Sequence, residues 1–130
     1  MRKTMARTIR SKGGTVIFTV TVPENTTGLQ QSVFLVGSLR QFSPNLPDWD
    51  PHGLAMRRVD ERNWTLTLMG QENAVVEYKY TLGDWAHIEK DITCADIPNR
   101  RVVVRPNASG AQTIHDTVER WPGIESCNES

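Results

Sequence analysis

"VVEYKYTLGDWAHIEKD", Val75 to Asp91, opens as a β-strand and then departs from its own pattern. Val76, Tyr78, Tyr80 and Leu82 fall on one face, and Val75, Glu77, Lys79 and Thr81 on the other. Successive side chains of a strand alternate faces, so the run reads apolar-in and polar-out. Gly83 ends it, and Trp85 follows at once between Asp84 and His87. A tryptophan in a polar turn, just past an outward-pointing lysine, either folds back on the core or serves a surface with a task other than packing.

The rest of the chain repeats the strand signal at short intervals. "TVIFTVTV" (Thr15–Val22) puts Val16, Phe18, Val20 and Val22 on one face, and Pro23 stops it. "SVFLVG" (Ser32–Gly37) reads as a short buried strand, and "SLRQFSPNLPDWDPHG", with three prolines and two aromatics, as a long loop. "LAMRRV" and "NWTLTLM" flank the charged turn "DER", the signature of a hairpin, and Trp64 shares a core face with Leu66 and Leu68. A shorter strand is expected around "HIEK", followed by "RRVVV" (Arg100–Val104) and "QTIHDTVERW". That last run does not keep strict phase, because Asp116 falls on the face of Ile114 and Val118 while Trp121 falls opposite. A bulge near His115–Asp116 would resolve it, with Trp121 capping one end of the fold. Seven or eight short strands at this spacing predict an all-β domain, an antiparallel β-sandwich or open barrel of immunoglobulin-like type. The expected layout is a basic arm over residues 1–13, one domain over 14–122 and a tail over 123–130, both ends flexible.

With 130 residues, the chain is long enough for a core without metals or disulfides. Charge is balanced, 15 basic residues against 15 acidic, which argues against nucleic acid as a partner. No apolar run approaches the roughly 18 residues of a membrane span. The opening "MRKTMARTIRSKGG" lacks the apolar stretch of a secretory signal, which favours the cytoplasm, and Cys94 and Cys127 are expected as unpaired thiols. The N-x-S/T sequons are then simply parts of polar strands and loops. No nucleophile elbow, zinc-protease helix, P-loop or dinucleotide fingerprint is present. His115 and Asp116, as neighbours on a strand, face opposite ways and cannot form a dyad. His52, His87 and His115 have no ligand spacing, so no metal, cofactor or catalytic residue is assigned.

The four tryptophans divide into two kinds. Trp64 and Trp121 belong to the core, whereas Trp49, in "NLPDWDPHG", and Trp85, in "GDWAH", sit in polar loops. Flat aromatic rings cover the apolar C–H face of a pyranose, and amide or charged groups bond its hydroxyl rim. Two loop tryptophans with Lys79 nearby fit that chemistry.

The order of these features resembles a known family. "VFLVGSLRQFSPNLPDW", "VVEYKYTLGDWAHIEKD", "IPNRRVVV" and the terminal "DTVERW" resemble a starch-binding domain, the carbohydrate-binding modules of family twenty, across about residues 14–122. The resemblance implies a noncatalytic module for α-1,4-linked glucans that tethers an attached or partner glycan-active enzyme. It also implies a site in which glucose stacks on tryptophans and bonds to a lysine and an asparagine. By motif these are Trp49, Lys79 of "EYK" and Asn99 of "PNR". Many members carry a tryptophan directly before a glutamate; here Ile88 precedes Glu89, so the second platform falls to Trp85, with Glu89 as the glutamate. The alternative on the same fold is a protein-interaction or regulatory domain, in which these aromatics meet a protein.

Overall fold

The computed structural model describes residues 13–24, 26, 32–105 and 111–123. Apart from Gly13 and Gly123, the arm and tail expected at the ends lie outside the described residues. Strands form where apolar residues alternate: β1 (Gly13–Thr21), β2 (Phe34–Gly37), β3 (Leu54–Ala55), β4 (Arg57–Arg58), β5 (Asn63–Gln71), β6 (Val75–Thr81), β7 (Arg100–Val103) and β8 (Gln112–Thr117). They build two four-stranded sheets, ordered β4-β5-β1-β8 and β3-β2-β6-β7. The β-sandwich is therefore as expected, with one change of sense: β8 pairs with β1 in parallel, while the other pairs are antiparallel.

The core fills the space between the sheets. Val16, Phe18, Val20, Trp64 and Leu68 from the first sheet meet Leu35, Val76, Tyr78, Tyr80 and Val102 from the second, all buried. Phe18 sits edge-on to Tyr78 at 5.0 Å and to Phe42 at 6.0 Å, the geometry that aromatic quadrupoles prefer. "LAMRRV" does not run as one strand. Met56, buried, donates its N–H to Val33 and separates β3 in one sheet from β4 in the other. Trp121 is buried as expected, and its indole N–H donates to Thr26 Oγ1 at 2.8 Å.

The expected bulge in β8 does not occur: Gln112 to Thr117 run in unbroken register with Val16 to Thr21. Asp116 faces inward because it has partners there. Tyr78 and Tyr80 both donate their phenol O–H to Asp116 Oδ2 at 2.8 Å. Arg100 brings its Nη1 to 3.3 Å from Asp116 Oδ1, donates Nη2–H and Nε–H to Glu89 at 2.7 and 3.0 Å, and lies 5.6 Å from the Tyr80 ring centre. Burial, then the Asp116 charge, push both tyrosine hydroxyls well above the usual phenol range, so they stay protonated donors. The strand expected around "HIEK" reduces to isolated bridges, Thr81 with Ile88 and Lys90 with Asp96 and Arg120. Cys94 is disulfide-bonded, which corrects the expectation of an unpaired thiol; Cys127 lies outside the described residues.

Trp64 tests the packing. Its Nε1 is buried with no hydrogen-bond partner among the described residues, so only the ring's bulk holds it there. Trp64→Ala should cost about 3–5 kcal/mol in denaturant unfolding. Trp64→Phe, which abandons no hydrogen bond, should cost clearly less.

Candidate functional site

The site grows from the outer face of the second sheet. In β2, Val36 points away from the core beside Lys79 of β6, yet it is fully buried. The long loop covers it. Ser38 continues the sheet ladder, donating its N–H to Glu77 O and accepting from Glu77 N–H at Oγ, both at 2.9 Å. A 3-10 turn (Leu39–Gln41) and buried Phe42 then carry the chain over one end of the sandwich. On its return the loop is pinned to the outer face at both ends. Trp49 N–H donates to Gly37 O at 2.8 Å, and Thr81 Oγ1 donates to Pro51 O at 2.7 Å. His52 lies 4.5 Å from the Phe34 ring between them.

Trp49 sits at this crossing with φ 53°, in the left-handed region that a bulky side chain rarely adopts. The ring is half-buried. Its backbone is held there by the Gly37 bond and by Asp48 Oδ1, which accepts the Arg40 N–H at 3.1 Å. A bulky residue kept in a costly backbone well is a feature that clusters at functional sites.

Lys79 and Asn99 come to the same face. Lys79 stands opposite Val36, one ladder step from the Gly37–Tyr78 pair on which Trp49 docks. Asn99 directly precedes Arg100, whose partner across the sheet is Tyr78. Its amide Nδ2 donates to Glu77 Oε1 at 3.1 Å, which leaves Asn99 Oδ1 free to accept. Glu77 is thus a positioning residue that motif reading missed, although its outward phase beside Lys79 was available in the alternation.

Trp85 opens a second 3-10 turn (Trp85–His87) just beyond β6 and is 50% exposed. Leu82 N–H bonds His87 O at 3.1 Å, and Asp84 Oδ1 takes His87 Nδ1 at 2.7 Å. The hydrogen bond from His87 holds the Asp84 carboxyl below the usual range. Gly83, at φ 119°, abuts the other loop: a methyl there would lie 3.3 Å from the His52 ring. The loop that carries Trp49 and the turn that carries Trp85 are therefore neighbours along one face.

Glu89 does not belong to this group. It is 1% exposed, accepts Tyr80 N–H at 3.1 Å, and spends both oxygens on Arg100. The alternation explains it: Glu89 N–H bonds Tyr80 O, so Glu89 shares the inward face of Tyr80. A ligand on the outer face cannot reach it. Among the described residues no group of three or more His, Cys, Asp or Glu side chains could hold a metal ion.

Comparison with known proteins bears on the family and the fold. The sequence profile of one family, described as starch binding domain, matches residues 15–114. The chain is 37% identical over 110 residues to an amylopullulanase of Thermoanaerobacterium thermosulfurigenes and 34% identical over 106 residues to an alpha-amylase of Niallia circulans. The matches cover 84% and 82% of this chain but only 6% and 8% of those enzymes. In structure, 84% of the chain superposes on 18% of a glycoside hydrolase family 15 glucoamylase from Hypocrea jecorina, with TM-score 0.63 and 24% identity. That last likeness speaks for the fold.

Two stability measurements check the assignments. Trp49→Gly should be more stable than Trp49→Ala by about 1 kcal/mol, because glycine occupies the left-handed well without penalty. Glu89→Ala should cost about 3 kcal/mol, since it removes the acceptor of the Tyr80 N–H and of two Arg100 donors while Asp116 still faces the guanidinium.

Proposed function

The chain belongs to the starch-binding domain family, and on that premise we propose that its outer face seats an α-1,4-linked glucan and tethers a glycan-active enzyme to the polymer. The convergence of Trp49, Lys79 and Asn99 on one face of the second sheet, with Trp85 exposed beside them, carries this reading. The Trp49 ring offers a platform for the C–H face of one glucose, and Trp85 offers the same to a neighbouring residue of the chain. Lys79 donates to hydroxyls, and Asn99, its amide oriented by Glu77, accepts from them.

Two stacked rings and a few solvent-facing hydrogen bonds leave about −5 kcal/mol after ordering costs, a dissociation constant of roughly 0.1–1 mM. A module of that strength works by raising the effective concentration of what it is joined to. The small share of the amylopullulanase and alpha-amylase that this chain matches supports a noncatalytic part played in cis. The disulfide at Cys94 supports work in an oxidising compartment.

Adsorption to insoluble starch tests the reading, with maltoheptaose expected to compete and cellooligosaccharides expected not to. In solution, Trp49→Ala and Trp85→Ala should each weaken maltoheptaose binding roughly fivefold to tenfold with the fold intact, the lower end of aromatic stacking energies, and Lys79→Ala about as much through lost hydrogen bonds. Wild-type protein that ignores starch, or three variants that bind as wild type does, would sink it.

A further inference from the structure

The stretch between Lys90 and Asn99 interrupts one edge of the second sheet. Before it, Ile88 and Glu89 lie alongside Thr81 and Tyr80 of β6; after it, β7 pairs with Val75 to Tyr78. The chain leaves the sheet between these segments and comes back. Its path is tightly specified. Asp91 Oδ1 accepts Thr93 N–H at 2.8 Å, Thr93 Oγ1–H at 2.7 Å and Ala95 N–H at 3.0 Å, and Asp91 N–H donates to Ala95 O at 2.9 Å. Cys94, at φ 67°, is held by its disulfide. Nothing in the packing of the core requires this structure, since Ile92, Thr93, Ala95 and Asp96 are all exposed.

What the excursion delivers is a carboxylate. Lys90 follows inward-facing Glu89, so it faces outward on the side of Lys79. Asp96 pairs with Lys90 across a bridge and takes its ammonium at Oδ1, with the Lys90 side chain 22% exposed and that of Asp96 77% exposed. Asp96 also feels the charge of Lys79: its carboxyl is held below the usual range by the Lys90 hydrogen bond and charge, and then by Lys79. Among the described residues, Asp96 Oδ2 has no protein partner.

On the outer face such a group adds an ionised acceptor to the neutral one of Asn99. Glu89 is sealed behind Arg100, and Glu77 Oε1 is committed to Asn99. A sugar laid over Trp49 presents vicinal hydroxyls, and an ionised carboxylate accepts O–H bonds about twice as strong as neutral ones. We propose that Asp96 is a hydroxyl-accepting residue of the glucan site, acting beside Lys79, and that the Asp91–Asp96 excursion exists to place it there. This deepens the reading of the site given above and rests on it.

Calorimetric titration with maltoheptaose tests it on the intact chain, using wild type, Asp96→Asn, Asp96→Ala and Lys90→Met, with Trp49→Ala and Lys79→Ala alongside. Asp96→Asn should weaken binding about threefold to fivefold and Asp96→Ala up to about tenfold, each at an unchanged melting temperature, the range expected for one hydrogen bond at a solvent-exposed group. Lys90→Met should change it less than twofold, because Asp96 remains in place. If both Asp96 variants bind normally while Trp49→Ala and Lys79→Ala fail, Asp96 is excluded and the site stands. If Lys90→Met loses as much as Asp96→Asn, Asp96 serves only as the counter-ion of Lys90 and the proposal is overturned. Normal binding by Trp49→Ala and Lys79→Ala would remove the site itself, and Asp96 with it.

Discussion

Arg100 joins what the two sheets would otherwise keep apart. Its guanidinium meets Glu89 from the segment after β6 and Asp116 from β8 in the opposite sheet, and it donates to Thr117 O at 2.8 Å. Isolated charges at this depth would cost several kcal/mol each, and the fork geometry of arginine with two carboxylates and two phenols offsets that cost. The arrangement is directional in a way that hydrophobic contact is not. It fixes how β7 enters the sheet, and therefore where the preceding Asn99 stands. It also holds Glu89 against Tyr80, and so sets the outward direction of Lys90. The candidate face is in this sense the exterior of an interior salt bridge.

Alternation made most of the sandwich legible. The periods of β1, β5 and β6 put Val16, Phe18, Trp64, Val76 and Tyr78 in the core, where they are found. The misreadings share a physical cause, which is that buried polar groups imitate exposed ones in a hydrophobic pattern. Asp116 on an inward face reads as a broken phase that a bulge would repair, whereas two tyrosine hydroxyls await an acceptor there. Glu89 came to the site by the family motif alone, and the motif does not show that its carboxylate is buried. Its partner Arg100 is distant in sequence, and no local signal joins them.

At the candidate site, Trp49, Lys79, Trp85 and Asn99 were legible because each departs from the local pattern or matches a family motif. The Lys90–Asp96 pair and the Glu77–Asn99 bond were not, since both depend on register between segments brought together only by folding. The parallel sense of the β1–β8 pair was hidden for a related reason. Alternation tells which side of a strand faces the core and is silent about the direction in which the strand runs.

That parallel pair bears on how the module carries load. Val16 to Thr21 run alongside Gln112 to Thr117 in the same direction, so the chain enters the first strand at Gly13 and leaves the last at Thr117, at opposite poles of that sheet. Tension applied through those two points draws the strands past each other lengthwise. All six paired positions then resist together, rather than opening one at a time as they would in a hairpin pulled from its open end. Drag along that line would load the paired strands as a shear joint.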